Sequence, residues 1–279
     1  MHRETSLYRQ IACCRRVRKA NIDTLHRVHE LNRRFAVESP AGGCYTLGWE
    51  ETARLSQHCG VKGIESMATV RIIYDNVSFL PALEADWGFA TLIEAHQKTI
   101  LFDTGSNGRI LLENMRILEI DPQSISDVFV SHSHFDHVGG LSHFLNENNS
   151  VTLHAPTSFR GVRSAERVVY YDRPKEIYPG LYTTGELDGI EQSLAIQSET
   201  GFVLIVGCSH PSMDSIVSSV ESFGPVHGII GGLHGFDRLE LFSGFGLICP
   251  AHCTKHTDRI RERFPGAFIP AGAGKVIQF

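Results

Sequence analysis

Residues 131–140 read SHSHFDHVGG, placing three histidines and one aspartate within the six positions 132–137. Alternate side chains of an extended segment project to the same side, so His132 and His134 can reach one cation. Asp136 and His137 lie one turn further on and suit a second. Imidazole nitrogens and a carboxylate are donors to zinc, iron or manganese, and so histidine-rich a set suits zinc best. The alternative is a polar loop that happens to be rich in histidine, and the alternating spacing argues against it.

Such a motif is two half-sites, and other parts of the chain must complete them. The candidates are His210 in GCSHPS, His234 in GGLHGF and His252 in PAHCT, each within three residues of an apolar run. Taken singly, any one reads as a structural or surface histidine. Together with a complete HxHxDH they read as ligands held at strand ends.

The elements that must position these residues are legible as short apolar runs separated by turn residues. Strands are expected at about 69–75, 89–94 and 98–102, the last two joined by a turn near Gln97. A helix follows at about 108–118. The run Val128–Val130 is a short buried strand that delivers the chain into the motif, and a helix begins near Asp136 or His137. Further strands are expected at about 151–154, 203–207, 227–231, 246–249 and 275–278. Met213, Ile216, Val217 and Val220 recur at i, i+3, i+4 and i+7, which predicts a helix facing the core. Strands followed by helices, twice over, imply an α+β body of sheets sandwiched by helices.

That pattern lapses before Met67. Ile22, Leu25, Val28, Leu31 and Phe35 have roughly helical spacing, predicting an amphipathic helix over 20–35. The division expected is a basic N-terminal extension, 1–66, and a catalytic domain, 67–279. Residues 1–34 carry nine Lys/Arg against three Asp/Glu, leaving 17 against 28 in the remainder of a chain with formal charge -5. An acidic body argues against a broad nucleic-acid surface, and no apolar run is long enough to span a bilayer. The seven cysteines form no CxxC pair and read mostly as reduced thiols. With arginines where a signal peptide needs its apolar stretch, a cytoplasmic location is expected. The sequence carries no reading of oligomeric state.

Other motifs are weaker. Ser209 and Ser212 lie near histidines, but the GxSxG elbow of a serine nucleophile is missing. AGAGK near Lys275 precedes the last strand rather than opening a helix, so a nucleotide cradle is not expected there. Arg160, Arg163 and Arg167 are candidate phosphate contacts, with a solvated loop the preferred reading.

The string His132-Ser-His134-Phe-Asp136-His137, preceded by Phe102-Asp103-Thr104-Gly105 at the end of a hairpin strand, resembles the metallo-beta-lactamase fold. Its members are αββα four-layer sandwiches with a binuclear site at the sheet edge. More narrowly, Asp75-Asn76, LFDTG, SHSHFDHVGGL, GCSHP, IIGGLH and HCT, in that order across residues 69–279, are similar to the 7,8-dihydropterin-6-yl-methyl-4-(β-D-ribofuranosyl)aminobenzene 5'-phosphate synthase-like branch. The resemblance implies His132, His134 and His210 for one metal, and Asp136, His137 and His252 for the other. The expected catalytic set is Asp136, His234 and Asp103, with Asp103 matching the family's supporting aspartate. Where the family pattern has a Gly-Asp pair carrying a bridging carboxylate, this chain has Gly207-Cys208. Cys208 reads first as a buried small apolar side chain, with thiolate ligation the alternative. The cofactors implied are two divalent ions, zinc first, with iron or manganese as alternatives. The expected activity is hydrolysis of a small phosphorylated, ester or lactone substrate. Transfer of a pterin methyl diphosphate to an aminobenzene phosphate is the runner-up, and a non-catalytic metal-stabilised binding protein the third reading.

Overall fold

The computed structural model describes residues 67–279 and two short strands, β1 (Ala36–Glu38) and β2 (Cys44–Thr46), which pair antiparallel. The chain divides into two units, Met1–Glu65 and Ser66–Phe279. The helix expected over 20–35 lies outside the described residues. Among those described, no helix is long and apolar enough to cross a membrane.

In the second unit, β3 (Thr69–Tyr74), β4 (Ala90–Ala95), β5 (Lys98–Phe102), β6 (Asp127–Phe129), β7 (Thr152–Pro156) and β8 (Arg167–Tyr171) belong to one sheet. A second sheet comprises β9 (Lys175–Tyr178), β10 (Leu181–Thr183), β11 (Leu194–Ser198), β12 (Gly201–Val206), β13 (Val226–Gly232) and β14 (Leu247–Ala251). The last strand, β15 (Val276–Gln278), returns to the first sheet, whose order is β15-β3-β4-β5-β6-β7-β8; the second runs β14-β13-β12-β11-β10-β9. The helices are α1 (Gly108–Ile117), α2 (Phe135–Val138), α3 (Leu141–Glu147), α4 (Met213–Glu221) and α5 (Thr257–Arg263).

Two-residue alternation assigns each buried side chain to a layer. In β12, Val203 and Ile205 join Ile72, Ile93, Phe102 and Phe129 of the other sheet in the central core. The intervening Phe202, Leu204 and Val206 pack with Met213, Ile216, Val217 and Val220 of α4 and Ile260 of α5. Both faces of β12 are therefore covered, which is why its sequence is an unbroken apolar run rather than an alternation. On the outer face of the first sheet, Leu92, Leu101 and Val128 meet Ile110, Leu111 and Met115 of α1 and Leu141, Phe144 and Leu145 of α3. The result is four layers, αββα, as the resemblance implies. Helix α4 presents the four apolar residues expected of it, and the Ser212 side chain caps its start by accepting from Ser215 N.

The sequence reading missed β8 to β11 and helices α3 and α5. Strands β8 and β9 leave most of their side chains half-exposed or exposed, so they lack the apolar run that marks a doubly covered strand. Arg160, Arg163 and Arg167 are exposed, but Arg167 opens β8 rather than lying in a loop, and the Arg160 guanidinium sits 4.2 Å from the Tyr170 ring centroid. What positions the chemistry is strand direction. Strands β5 to β8 are mutually parallel, as are β12 to β14, so the loops leaving their carboxyl ends gather at the sheet edges.

Both sheets and their covering helices are built from residues 69–278. A chain beginning at Met67 is therefore expected to melt cooperatively, with a midpoint within about 4 °C of the full chain's, equivalent to roughly 1 kcal/mol for a body of this size. Loss of the cooperative transition in calorimetry would place residues 1–66 in the folded core.

Candidate metal centre

Asp103 follows the last residue of β5, and its backbone adopts φ 55°. Its carboxylate is fully buried, where an unpaired charge would be costly. Every contact it makes is a hydrogen bond to the motif: Oδ1 accepts from Ser131 N at 2.7 Å, and Oδ2 accepts from Ser131 Oγ at 2.6 Å and His137 Nδ1 at 2.7 Å. These bonds fix the His137 tautomer, leaving Nε2 free as a donor to a cation. Burial alone would lower the His137 pKa, but the Asp103 carboxylate reverses that and raises it. Asp103 was expected in the catalytic set; with no open face it is instead a positioning residue.

The same logic extends to His132. Ser131 Oγ, having given its proton to Asp103, accepts from His132 Nδ1 at 2.9 Å and turns Nε2 toward His134. His132 Nε2 and His134 Nδ1 stand 3.0 Å apart, and His210 Nε2 lies 3.1 Å from His134 Nδ1. Burial and the neighbouring imidazoles lower the pKa of His132, and bring that of His210 to about 4, so these two rings are neutral near pH 7. Neutral imidazole is the ligand form. Two donors on one tetrahedral zinc, at about 2.0–2.1 Å each, are separated by about 3.3 Å, so the three nitrogens fit a shared cation.

The second set lies alongside. Asp136 Oδ2 is 3.2 Å from His252 Nε2 and 4.0 Å from His137 Nε2, and it accepts from Trp87 Nε1 at 2.9 Å. Burial opposes ionisation of Asp136, but His137, His252 and Trp87 hold its carboxyl below the usual range. Asn76 Oδ1 accepts from both Gly88 N, at 3.1 Å, and His252 Nδ1, at 2.9 Å, which orients the His252 ring with Nε2 inward. Burial and His137 lower the His252 pKa to about 4. His132, His134 and His210 thus form one group of potential ligand atoms lying within 4.8 Å of one another, and Asp136, His137 and His252 form another. Both are the sets assigned by resemblance.

His234 stands apart. It is exposed, its ring centroid is 5.3 Å from that of His210, and it belongs to neither group. It lines an open cleft with His210, Met213 and Arg238, a place from which it can face substrate. Cys208 and Cys253 are also at the centre. Their mutual contact and burial push the Cys208 thiol up, while the same contact holds Cys253 below the usual thiol range.

Glu191 was missed. Although fully buried, it accepts from the backbone N–H groups of Gly207, Cys208 and Ser209 through Oε1, at 3.0 to 3.1 Å, and from His210 N through Oε2 at 2.9 Å. One carboxylate therefore folds the whole segment that presents His210. Gly207 leaves it room: a Cβ there would lie 2.3 Å from Ser131 Oγ and 3.0 Å from Glu191 Oε1. A lone glutamate in LDGIEQS carries no motif, and only its contacts reveal the role. Replacing Glu191 with Gln puts an amide N–H against a backbone N–H, and each unsatisfied buried group costs about 1–3 kcal/mol. Glu191→Gln is expected to lower the unfolding free energy by that amount in urea titration; an unchanged midpoint would mean the carboxylate does not hold the loop.

The family model described as the metallo-beta-lactamase superfamily matches residues 87–222. A Methanocaldococcus jannaschii protein named 7,8-dihydropterin-6-methyl-4-(beta-D-ribofuranosyl)-aminobenzene-5'-phosphate synthase is 29% identical, over 69% of this chain and 90% of its own. An uncharacterised protein of the same organism is 26% identical, over 75% of this chain and 99% of its own. A solved structure described as a metal-dependent hydrolase of the beta-lactamase superfamily superposes with TM-score 0.62 and 24% identity, covering 76% of this chain and 99% of its own. Residues 87–222 thus match the metallo-beta-lactamase superfamily model, and the chain shares its fold with a solved structure described as a member of that superfamily.

Proposed function

We propose that the chain is a metal-dependent enzyme acting on a small phosphorylated substrate, with His132, His134 and His210 holding one divalent ion and Asp136, His137 and His252 a second. The observation that carries this reading is the convergence of His132 Nε2 and His210 Nε2 on the one nitrogen His134 Nδ1, at 3.0 and 3.1 Å, a spacing that fits ring nitrogens sharing one cation. When bound, such ions supply Lewis acidity and make water a nucleophile near neutral pH. The protein's own contribution is orientation. Asp103 and Asn76 hold His137 and His252, Ser131 holds His132, and Glu191 holds the His210 segment. Zinc suits the donor set best, with iron or manganese as alternatives. Asp136 also faces the substrate side, and His234, set back from both groups, is placed to exchange a proton with substrate across the cleft.

Hydrolysis of a phosphate ester or lactone is the first reading. Transfer is the second, and two observations favour it. The relative named as a synthase matches this chain over 90% of its own length. In addition, Trp87, which donates to Asp136, and Phe135, the residue before Asp136, are 57% and 71% exposed, and such exposed rings can stack on a heteroaromatic substrate. In transfer, ions held by the same residues would stabilise the charge of a departing diphosphate rather than supply a water nucleophile.

Protein purified without chelator is expected to carry roughly one to two ions per chain by elemental analysis. His132→Ala and His252→Ala should each weaken metal binding by at least about tenfold, since even supporting residues change affinity 10- to 100-fold. Incubation with a pterin methyl diphosphate, with and without an aminobenzene acceptor, separates the readings. Acceptor-dependent pyrophosphate release identifies transfer, and release without acceptor identifies hydrolysis. A chain that binds no metal, or whose turnover ignores chelator, contradicts the proposal, and metal binding without any product makes it a binding protein.

A further inference from the structure

The proposed centre has few anionic donors. Of the six residues assigned to it, five are histidines, and Asp136 alone carries a charge. Two divalent ions a few ångströms apart repel one another, and an anion between them offsets that repulsion. The family pattern places a carboxylate there, and this chain has Cys208.

The Cys208 side chain is not merely packed in apolar surroundings. Its Sγ lies 3.2 Å from His137 Nε2, the nitrogen left free by the Asp103 bond to Nδ1. It forms one group of potential ligand atoms with His132 and His137, and another with His252 and Cys253, each within 4.8 Å. Cys208 Sγ thus stands between the three-histidine set and the Asp136 set. A sulfur at about 2.3 Å and a nitrogen at about 2.0–2.1 Å from one tetrahedral zinc are separated by about 3.5 Å, close to the contact seen. Space is also kept for the second sulfur: a Cβ on Gly232 would lie 2.8 Å from Cys253 Sγ.

We propose that Cys208 is a thiolate ligand shared by the two ions and that Cys253 is a further thiolate donor on the His252 side. This rests on the metal-centre reading above and revises the expectation that Cys208 is only a packed thiol. As each sulfur–metal bond forms, the thiol proton leaves to solvent, with no change in oxidation state. Soft sulfur donors select zinc, ferrous or cobaltous ions over magnesium and manganese, which narrows the choice of metal.

Loading the full-length chain anaerobically with Co(II) tests this directly. The expected spectrum has visible ligand-field bands together with near-ultraviolet thiolate-to-cobalt charge-transfer absorption. Cys208→Ala should remove most of the charge-transfer intensity and weaken the second ion by at least about tenfold. Cys253→Ala should keep the absorption at reduced intensity. Ligand-field bands without charge transfer in the wild type overturn the sulfur assignment and leave the histidine centre standing, whereas no cobalt bound at all overturns both. Charge transfer lost in Cys253→Ala but intact in Cys208→Ala overturns the shared ligand. If Cys208→Ala fails to fold, X-ray absorption on the zinc-loaded wild type decides: a sulfur shell near ~2.3 Å is required, and a shell of nitrogen and oxygen alone refutes the proposal.

Discussion

A carboxylate without access to water ties the first sheet to its chemistry. Asp103 ends β5, and its two oxygens are satisfied by the backbone and hydroxyl of Ser131 and by the ring of His137. Burying that charge is tolerable only while all three bonds are made, so the β5 end and the motif after β6 hold one another in register. The arrangement also dictates which nitrogen of His137 faces outward, and through Ser131 which nitrogen of His132 does. Glu191 plays the corresponding part for the second sheet by gathering four backbone N–H groups of the His210 segment. Two buried carboxylates, one for each sheet, set the geometry of the centre without being its ligands.

The backbone around the site is strained in the same places. Asp103, Ser209, His234 and His252 all have positive φ, between 43° and 57°, a conformation that costs non-glycine residues roughly 1–2 kcal/mol each. All four sit just beyond strand carboxyl ends, where the chain must turn sharply to direct a side chain across the sheet edge. The central core, with Phe102 stacked on Phe129 at 5.3 Å between ring centroids, supplies the rigidity against which that strain is held.

The ligand sets were legible because metal chemistry demands particular residue types at particular spacings. His132, His134, Asp136 and His137 announce themselves, and three further histidines each follow an apolar run. The doubly covered strands were legible for a similar reason, since burial on both faces leaves an unbroken apolar word such as FVLIV. Glu191 left no comparable trace, because its partners are backbone amides that any sequence possesses. Strands β8 and β9 were missed because half-exposed strands need no apolar alternation. Cys208 was seen, but its role depends on which groups surround the sulfur, and spacing along the chain does not encode that. The choice of His210 over His234 came from resemblance; of these two, His210 is the one with a ring nitrogen 3.1 Å from His134 Nδ1.

The central claim is that the sheet edges of this chain hold cations between these particular side chains. Anomalous diffraction from crystals of the native protein, recorded on both sides of the zinc, iron and manganese absorption edges, measures this most directly. The account predicts two peaks about 3.5–4 Å apart, one enclosed by His132, His134 and His210 and the other by Asp136, His137 and His252. Native crystals with no anomalous peak at these side chains, or with a single ion bound through His234, would contradict it.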